Sequence, residues 1–280
     1  MRRQLVSLLP AKPAQLTGSA EVLRALPRRE LRRVGSFVFF DHFGPHAAQP
    51  GVMDVPPHPH VGLQTVSYLF SGAIEHRDSI GSVQVIRPGE VNWMTAGHAI
   101  THAETVVPGS EPLHGIQTWV GLPQGQRKIE PAFQNFAGAA LPLVEFPGVQ
   151  VRVIAGALGE HRSLVPSYLP LTYLDLRLQA GAELAIPVAP DHELALYVAD
   201  GDLILDGTSV NRGVLARLSE QGDSLQVRSA GGARAILFGG VTLPEPTVIW
   251  WNFIVDSSEE GRACEADWKA GKFPRVPGFA

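Results

Sequence analysis

The sequence has almost no cysteine, since Cys264 is the single cysteine among 280 residues. One cysteine cannot form an intrachain disulfide, so nothing places the chain in an oxidising compartment. Long apolar runs are also missing: the stretch 5–10 near the N-terminus is broken by Ser7 and ended by Pro10. It is too short for a signal peptide, and no other stretch is long enough to span a bilayer. We therefore predict a cytoplasmic protein with no membrane partner.

The chain also lacks a strong excess of either charge. It has 23 Lys and Arg against 27 Asp and Glu, which gives a formal net charge of −4. This balance offers little attraction to a phosphate backbone, so we predict no direct binding to nucleic acid. The arginines between positions 24 and 33 are a local exception. Because leucines interrupt them, we interpret the segment as a solvated face, with phosphate binding as the alternative.

Few stretches keep helical spacing without interruption, because 29 glycines and 23 prolines are spread along the chain. Short runs of β-branched and aromatic residues, such as 65–70 and 117–122, end at turn residues instead. This pattern is typical of β-sandwiches and barrels. The Ala-, Gly- and Pro-rich segment 133–147 is predicted to connect two similar halves and to have little strand character. Near the C-terminus, residues 257–260 predict the start of a helix, and Gly271 predicts its end.

Common catalytic motifs are absent as well: there is no G-x-S-x-G, no Gly-rich phosphate loop and no H-E-x-x-H. The sequence has instead two short segments, His58-Pro59-His60 and His102-Ala103-Glu104. On a strand, residues two apart face the same side, so each segment would present two ligands together. Three imidazoles and one carboxylate suit Fe(II), Mn(II), Ni(II), Cu(II) or Zn(II). The competing interpretation is that these are solvent-exposed strand residues.

Other reactive or aromatic residues have simpler interpretations. Cys264 lies beside Glu265, whose charge would raise the thiol pKa, so we interpret the cysteine as structural. His114 is predicted to be a hydrogen-bonded core histidine, with orientation of a ligand as the alternative. Isolated histidines that belong to no paired segment are His42, His46 and His76. Four tryptophans are predicted to be core or barrel-closing residues: 93, 119, 250 and 251.

The histidine segments resemble those of the pirin family. Residues 58–68 (HPHVGLQTVSY) look like the family's histidine segment, and residues 88–104 (PGEVNWMTAGHAITHAE) are similar to its second, more specific segment. Further similar stretches cover residues 39–45, 114–120, 250–253 and 267–274. The resemblance therefore extends over nearly the whole chain.

At a few positions the sequence departs from the family pattern. Gln64 stands where pirins usually have glutamate, and we expect it to be a hydrogen-bonding residue behind the metal ligands. The family often has Arg-Gly where His98-Ala99 stand here. We expect His98 to be a hydrogen-bonded loop residue, the alternative being an acid or base in the pocket. Thr118 and Gly121 replace residues that are commonly larger, which predicts a wider pocket.

What the resemblance implies for the fold is a bicupin, an all-β chain of two jelly-roll barrels in tandem with a short C-terminal helix. Residues 1–134 would form the N-terminal metal-binding cupin domain. Residues 135–280 would form a C-terminal cupin domain without a metal site, including the helical tail. One divalent transition metal, usually iron and alternatively Mn, Ni, Co, Cu or Zn, would be held by four side chains: His58, His60, His102 and Glu104.

Two functions follow from the resemblance. The first is that of an oxidoreductase like quercetin 2,3-dioxygenase, whose flavonol substrate binds the metal through its 3-oxide and reacts with dioxygen. The heterocycle is then cleaved with loss of carbon monoxide, and Glu104 is the candidate base for the flavonol proton. The alternative is a metal-containing regulatory protein that binds a transcription factor or a metabolic enzyme. The sequence does not choose between them.

Overall fold

The computed structural model describes residues 1–16 and 21–279. Strands make up most of these residues, and the single α-helix among them follows near the C-terminus. This confirms the predicted all-β chain with a short C-terminal helix. In the described residues, no helix has both the length and the apolar character needed to cross a membrane.

The strands are short and follow one another closely along the chain. The first twelve are β1 (Leu5–Pro10), β2 (Lys12–Gln15), β3 (Glu21–Leu26), β4 (Phe37–His46), β5 (Val55–His60), β6 (Leu63–Ser71), β7 (Ile74–Asp78), β8 (Val83–Ile86), β9 (Val91–Thr95), β10 (Ile100–Val106), β11 (Leu113–Gly121) and β12 (Ala132–Phe136). The next twelve are β13 (Leu143–Phe146), β14 (Val149–Leu158), β15 (His161–Arg162), β16 (Leu171–Leu178), β17 (Glu183–Pro187), β18 (Glu193–Leu205), β19 (Thr208–Asn211), β20 (Val214–Leu218), β21 (Ser224–Arg228), β22 (Ala233–Gly240), β23 (Val248–Trp250) and β24 (Phe253–Val255). The α-helix is α1 (Ser258–Lys269), and short 3-10 turns lie at Gln124–Gln126 and Gly138–Ala140.

Contacts divide the chain into two compact units that interleave in the sequence. One unit holds Pro13–Val22, Phe39–Gly138 and Leu243–Ala280, and we call it the first unit. The second unit holds Met1–Lys12, Leu23–Val38 and Ala139–Thr242. By these contacts the helical tail groups with residues 39–138. The domain boundary between residues 134 and 135 stays a prediction.

The first unit contains two sheets that enclose a core. Within this unit the larger sheet has the order β12-β9-β6-β11-β4, and the smaller has the order β5-β10-β7-β8. Phe43, Leu69 and Leu113 of the larger sheet pack with Ile74 and Val106 of the smaller one. Burial of each such side chain stabilises the fold by about 1.5–3 kcal/mol. This packing holds the inner face of β5, β10 and β7 against the larger sheet.

The second unit is built on a sheet with the order β1-β20-β18-β22-β16-β14-β13. Its core is almost entirely valine and leucine, with alternate residues of β14 and β16 facing inward. The N-terminal strand β1 pairs with β20 at one end of this order, so the beginning of the chain completes the unit.

The segment 133–147, predicted to have little strand character, contains two strands. That prediction is wrong, because β12 pairs with β9 and β13 pairs with β14. Each lies at the end of its sheet order. Every residue in both strands is exposed or half-buried. An edge strand needs fewer large apolar residues than a central strand, so composition gives a weak signal for it.

Helix α1 begins and ends where the sequence predicts. The Ser257 side chain accepts a hydrogen bond from the backbone N–H of Glu260 at 3.1 Å, which satisfies one unpaired donor of the first turn. Glu259 and Glu260 place negative charge near the positive end of the helix dipole. After the last turn, Gly271 has φ +70°, a conformation that favours glycine.

Candidate metal centre

The two histidine segments lie on neighbouring strands of the smaller sheet. β5 and β10 run antiparallel, with His102 opposite His58 and Ile100 opposite His60. Alternation along each strand turns His58 with His60, and His102 with Glu104, toward one face. The register shifts between His102 and Glu104, and such an irregularity re-aims the side chains beside it. Strand pairing therefore brings together two segments that are distant in the sequence.

The three imidazole rings converge in space. Their centroids are 4.4 Å apart for His58 and His102, 5.0 Å for His58 and His60, and 5.1 Å for His60 and His102. Each ring offers a nitrogen that lies within 4.8 Å of those of the other two. The structure thus brings the three predicted histidines close together.

Backbone carbonyls hold two of the rings by the same nitrogen. His58 Nδ1 lies 2.9 Å from the Pro56 carbonyl oxygen, and His60 Nδ1 lies 3.1 Å from the Asn252 carbonyl oxygen. Since a carbonyl can only accept, each Nδ1 carries the proton and each Nε2 keeps its lone pair. Asn252 belongs to the C-terminal segment, so residues distant in the chain orient the same ring cluster.

The Nε2 atoms of His60 and His102 are buried and have no hydrogen-bond partner among the described residues. Both side chains are about 1% exposed. Buried polar atoms are normally paired, because an unpaired one loses its hydration without compensation. A metal ion accepting these lone pairs would satisfy both atoms. The donor set therefore fits a bound transition metal.

Burial also keeps these imidazoles neutral. It lowers the pKa of His58, and it places the pKa values of His60 and His102 well below the ordinary value, with neighbouring histidines adding to the effect. A protonated ring cannot donate a lone pair to a metal. The cluster is consequently in the protonation state that metal binding requires at neutral pH.

Glu104 lies beside the cluster and is held by a serine. The Ser67 hydroxyl is 2.9 Å from Glu104 Oε1 and 2.7 Å from Gln117 Oε1. A carboxylate oxygen of Glu104 lies within 4.8 Å of nitrogens of His76 and His102, so His102 is common to two groups of possible ligands. Glu104 is also 8% exposed. It is therefore close enough to share an ion with His102.

The cluster opens into a pocket within the first unit. His58, His60 and Glu104 form part of its wall, and the other lining residues are mostly apolar. Phe39 and Trp119 stack in this wall, with centroids 4.1 Å apart and planes inclined by 14°. The pocket wall therefore places apolar and aromatic surface beside the imidazoles.

Several expectations for individual residues are corrected by the structure. Trp119 lines the pocket rather than only filling the core, and Trp251 is 48% exposed. Thr118 and Gly121 are not among the pocket residues, because Gln117 and Trp119 on the same strand face it. A Cβ on Gly121 would lie 2.7 Å from Leu243 Cδ1, so this glycine permits close packing instead of a wider pocket.

Three other predicted residues lie away from the pocket wall. His98 is exposed and its Nδ1 is 3.2 Å from the Ile129 carbonyl oxygen, in agreement with the loop interpretation. Gln64 is buried and donates to Thr95 Oγ1 at 2.8 Å. His114 is half-buried, and its Nε2 lies 2.7 Å from His42 Nε2, so the predicted hydrogen bond is present.

One neighbour of the cluster was missed in the sequence. His76 on β7 is 2% exposed, and its Nδ1 lies 3.3 Å from His102 Nδ1. Its Nε2 lies 3.1 Å from Asp78 Oδ2. Burial alone would raise the pKa of Asp78, but hydrogen bonds from His76 and Ser82 outweigh burial and lower it. The alternation His76-Arg77-Asp78 was the available signal, since it puts both groups on one strand face.

Comparisons with known proteins agree with this fold and site. The pirin family profile matches residues 19–120, and that of the pirin C-terminal cupin domain matches residues 173–274. A pirin-like protein of Caulobacter vibrioides is 42% identical, over 91% of this chain and 90% of its own. A Pseudomonas aeruginosa protein provisionally named quercetin 2,3-dioxygenase is 38% identical, over 95% and 84%. The crystal structure of a quercetin 2,3-dioxygenase from Acinetobacter baumannii has a TM-score of 0.93 and 32% identity, over 99% and 93%.

These matches confirm the predicted pair of cupin domains in tandem. They also cover both halves of the chain, and the identity is high enough to show membership of a family as well as a shared fold. The chain belongs to the pirin family.

Proposed function

We propose that this protein is a metal-dependent dioxygenase of the pirin type that cleaves the heterocycle of flavonols such as quercetin. The observation that carries the proposal is the pair of buried Nε2 atoms on His60 and His102 that have no hydrogen-bond partner among the described residues. His60 also lines a largely apolar pocket. Relatives that are named for quercetin 2,3-dioxygenase support the substrate class. Flavonol and dioxygen would be the reactants, and carbon monoxide would be a product.

The proposed ligands are His58, His60, His102 and Glu104, and iron is the metal that we propose. A divalent transition metal there would lower the pKa of a coordinated hydroxyl and leave open positions for other ligands. The protein's part is to present three neutral Nε2 lone pairs in fixed directions. Two carbonyls do this for His58 and His60, because each accepts the Nδ1 proton.

Glu104 is the proposed base for the 3-hydroxyl of the flavonol. Ser67 hydrogen-bonds its Oε1, so Oε2 is the oxygen that we assign to take the proton. Proton transfer requires the two oxygens to come within about 2.6–3.2 Å. The stacked pair of Phe39 and Trp119 would hold the flat rings by apolar contact and keep water away from the reacting carbon atoms.

The test is to load the purified apoprotein separately with Fe(II), Mn(II), Ni(II), Co(II) and Cu(II) and to add quercetin. Flavonol absorbance and dioxygen consumption are followed together, and metal content is measured in each sample. We expect turnover with at least one metal, and a loss of about 10²–10⁴-fold in Glu104→Gln if the residue acts as base. Loaded protein that consumes neither reactant with any metal would refute the proposal for quercetin.

A matched control separates loss of the base from loss of charge. Glu111→Gln removes an exposed carboxylate outside the pocket, and we expect it to retain the wild-type rate. Glu104→Gln should be compared at equal metal content, because its side chain is also a proposed ligand.

The regulatory alternative remains a prediction with its own experiment. Metal-loaded and apoprotein are used as baits in parallel, and captured proteins are identified. A partner retained only by the loaded protein, together with absent flavonol turnover, would favour regulation over catalysis.

A further inference from the structure

On the Nδ1 side of its ring, His102 belongs to a row of three hydrogen-bonded side chains, His102, His76 and Asp78. His102 Nδ1 lies 3.3 Å from His76 Nδ1, and His76 Nε2 lies 3.1 Å from Asp78 Oδ2. All three side chains are at most 2% exposed. The His76 ring also stacks on Phe133 at 4.3 Å with planes inclined by 14°, which fixes its orientation.

The carboxylate at the end of this row is itself held by the backbone. Asp78 Oδ1 accepts hydrogen bonds from the N–H groups of Ile80 at 3.1 Å and Ser82 at 2.8 Å. Those two donors cannot be reversed, so Oδ1 must remain an acceptor. Asp78 Oδ2 is then the oxygen directed at His76.

We propose that Asp78 and His76 are positioning residues that set the tautomer of His102 and thereby direct its Nε2 lone pair toward the metal. Asp78 Oδ2 accepts a hydrogen bond from His76 Nε2–H, so a neutral His76 has its lone pair on Nδ1. That lone pair accepts from His102 Nδ1–H. His102 Nε2 is left without a proton, and it is the atom that is buried and unpartnered among the described residues.

With these hydrogen bonds, all three proposed ligand histidines have the proton on Nδ1 and the lone pair on Nε2. His58 and His60 donate their Nδ1 protons to backbone carbonyls, whereas His102 faces another imidazole, which could either accept or donate. Without Asp78, nothing in this hydrogen bond would decide which nitrogen of His102 has the proton. The carboxylate removes that ambiguity at a distance of two hydrogen bonds.

The same contacts argue against His76 as a metal ligand. Its nitrogens lie near those of His102 and Glu104, so the three residues could be taken for a separate metal site. Both nitrogens of His76 are already engaged, one with His102 and one with Asp78. His76 therefore supports the proposed site instead of forming another one.

The inference rests on the proposed metal site, but its first test needs neither metal nor activity. Long-range ¹H–¹⁵N spectra of the ¹⁵N-labelled apoprotein at pH 7.5 distinguish protonated from unprotonated ring nitrogens. The His102 signals are assigned by their absence in His102→Gln. We expect a proton on His102 Nδ1 and none on Nε2. A proton on Nε2 would overturn the proposal whether or not the protein binds a metal.

The second test is Asp78→Asn, which keeps the shape of the side chain. The backbone N–H groups of Ile80 and Ser82 will hold the amide oxygen, so the NH₂ group will face His76 Nε2 and donate to it. The proton of His76 then moves to Nδ1, and His102 must accept there and be protonated at Nε2. We expect the His102 tautomer to reverse and the metal dissociation constant to rise about 10–100-fold.

The matched control is Asp54→Asn in the same unit. Asp54 accepts hydrogen bonds from the backbone N–H groups of Gly51 and Val106. The substitution therefore removes a charge near β10 without changing the hydrogen bonds from Asp78 through His76 to His102. We expect the wild-type tautomer there. If the His102 tautomer and the metal affinity are unchanged in Asp78→Asn, the proposed role of Asp78 and His76 is refuted. If the metal content is unchanged in variants of the proposed ligands, the metal site alone is refuted. If Asp78→Asn does not fold, the spectrum of the wild-type apoprotein still decides.

Discussion

Replacing His60 with leucine should separate two effects of this residue: its effect on the stability of the apoprotein and its contribution to metal binding. In the apoprotein, the buried and unpartnered Nε2 costs about 1–3 kcal/mol of stability. His60→Leu removes that cost but also loses the hydrogen bond to the Asn252 carbonyl, worth about 0.5–1.5 kcal/mol. The apo variant should therefore differ from wild type by between about −0.5 and +2.5 kcal/mol, where positive values mean greater stability.

When metal is bound, the wild type should be stabilised relative to His60→Leu. At a free metal concentration 100 times the dissociation constant, binding stabilises the wild type by about 2.7 kcal/mol. For a protein of this size that corresponds to a rise in Tm of about 5–10 °C, taking roughly 2–4 °C per kcal/mol. In His60→Leu the rise should vanish, whereas the exposed His161→Leu should keep it.

Thermal unfolding followed by circular dichroism, with and without metal, measures both quantities. A loss of more than about 3 kcal/mol in the apo variant would indicate that His60 is an ordinary, fully satisfied core residue. A metal-dependent rise that persists in His60→Leu would show that the ion binds elsewhere. Either result would refute the reasoning from the unpartnered nitrogen.

Three further predictions concern pH, thiol reactivity and backbone packing. The clustered histidines have lower pKa values when folded than when unfolded, so the unfolded chain binds more protons as the pH falls below about 6.5. The apoprotein should accordingly lose stability between pH 7.5 and 5.5, by at most about 1.4 kcal/mol per pH unit for each histidine, and urea unfolding should show a shallower dependence in His60→Leu. Burial, and then the charges of nearby carboxylates, raise the pKa of Cys264, so iodoacetamide should alkylate it at pH 8 more slowly than free cysteine, and equal rates would contradict the burial. Gly62→Ala should destabilise the protein by more than Gly51→Ala in a Tm comparison: both glycines have positive φ, but only a Cβ on Gly62 meets a backbone atom, the Ile254 oxygen at 2.0 Å.

The proposed ligands could be predicted from local spacing, because residues two apart on a strand face the same side. His58 with His60, and His102 with Glu104, needed no tertiary information to share a face. The family resemblance then supplied the expectation that the two segments meet, and the pairing of His102 with His58 agrees with it.

What the sequence could not give depends on register or on backbone atoms. His76 approaches the cluster because β7 pairs with β10, with His76 opposite Glu104 and Asp78 opposite His102. No local pattern fixes that alignment. The carbonyl that orients His60 is a main-chain group of Asn252, and every residue type has such a group. Edge strands β12 and β13 were missed for a different reason, since their exposed positions weaken the apolar signal.

The hydrogen bond from His60 to Asn252 also has a consequence for synthesis of the chain. Strands β5 through β11 leave the ribosome long before residue 252 does, and so the histidines can meet while one of them still lacks its carbonyl acceptor. The imidazole of His60 would then be free to rotate and to exchange its tautomers. If the proposed metal site is correct, a nascent chain halted before Asn252 should bind metal more weakly than the full chain.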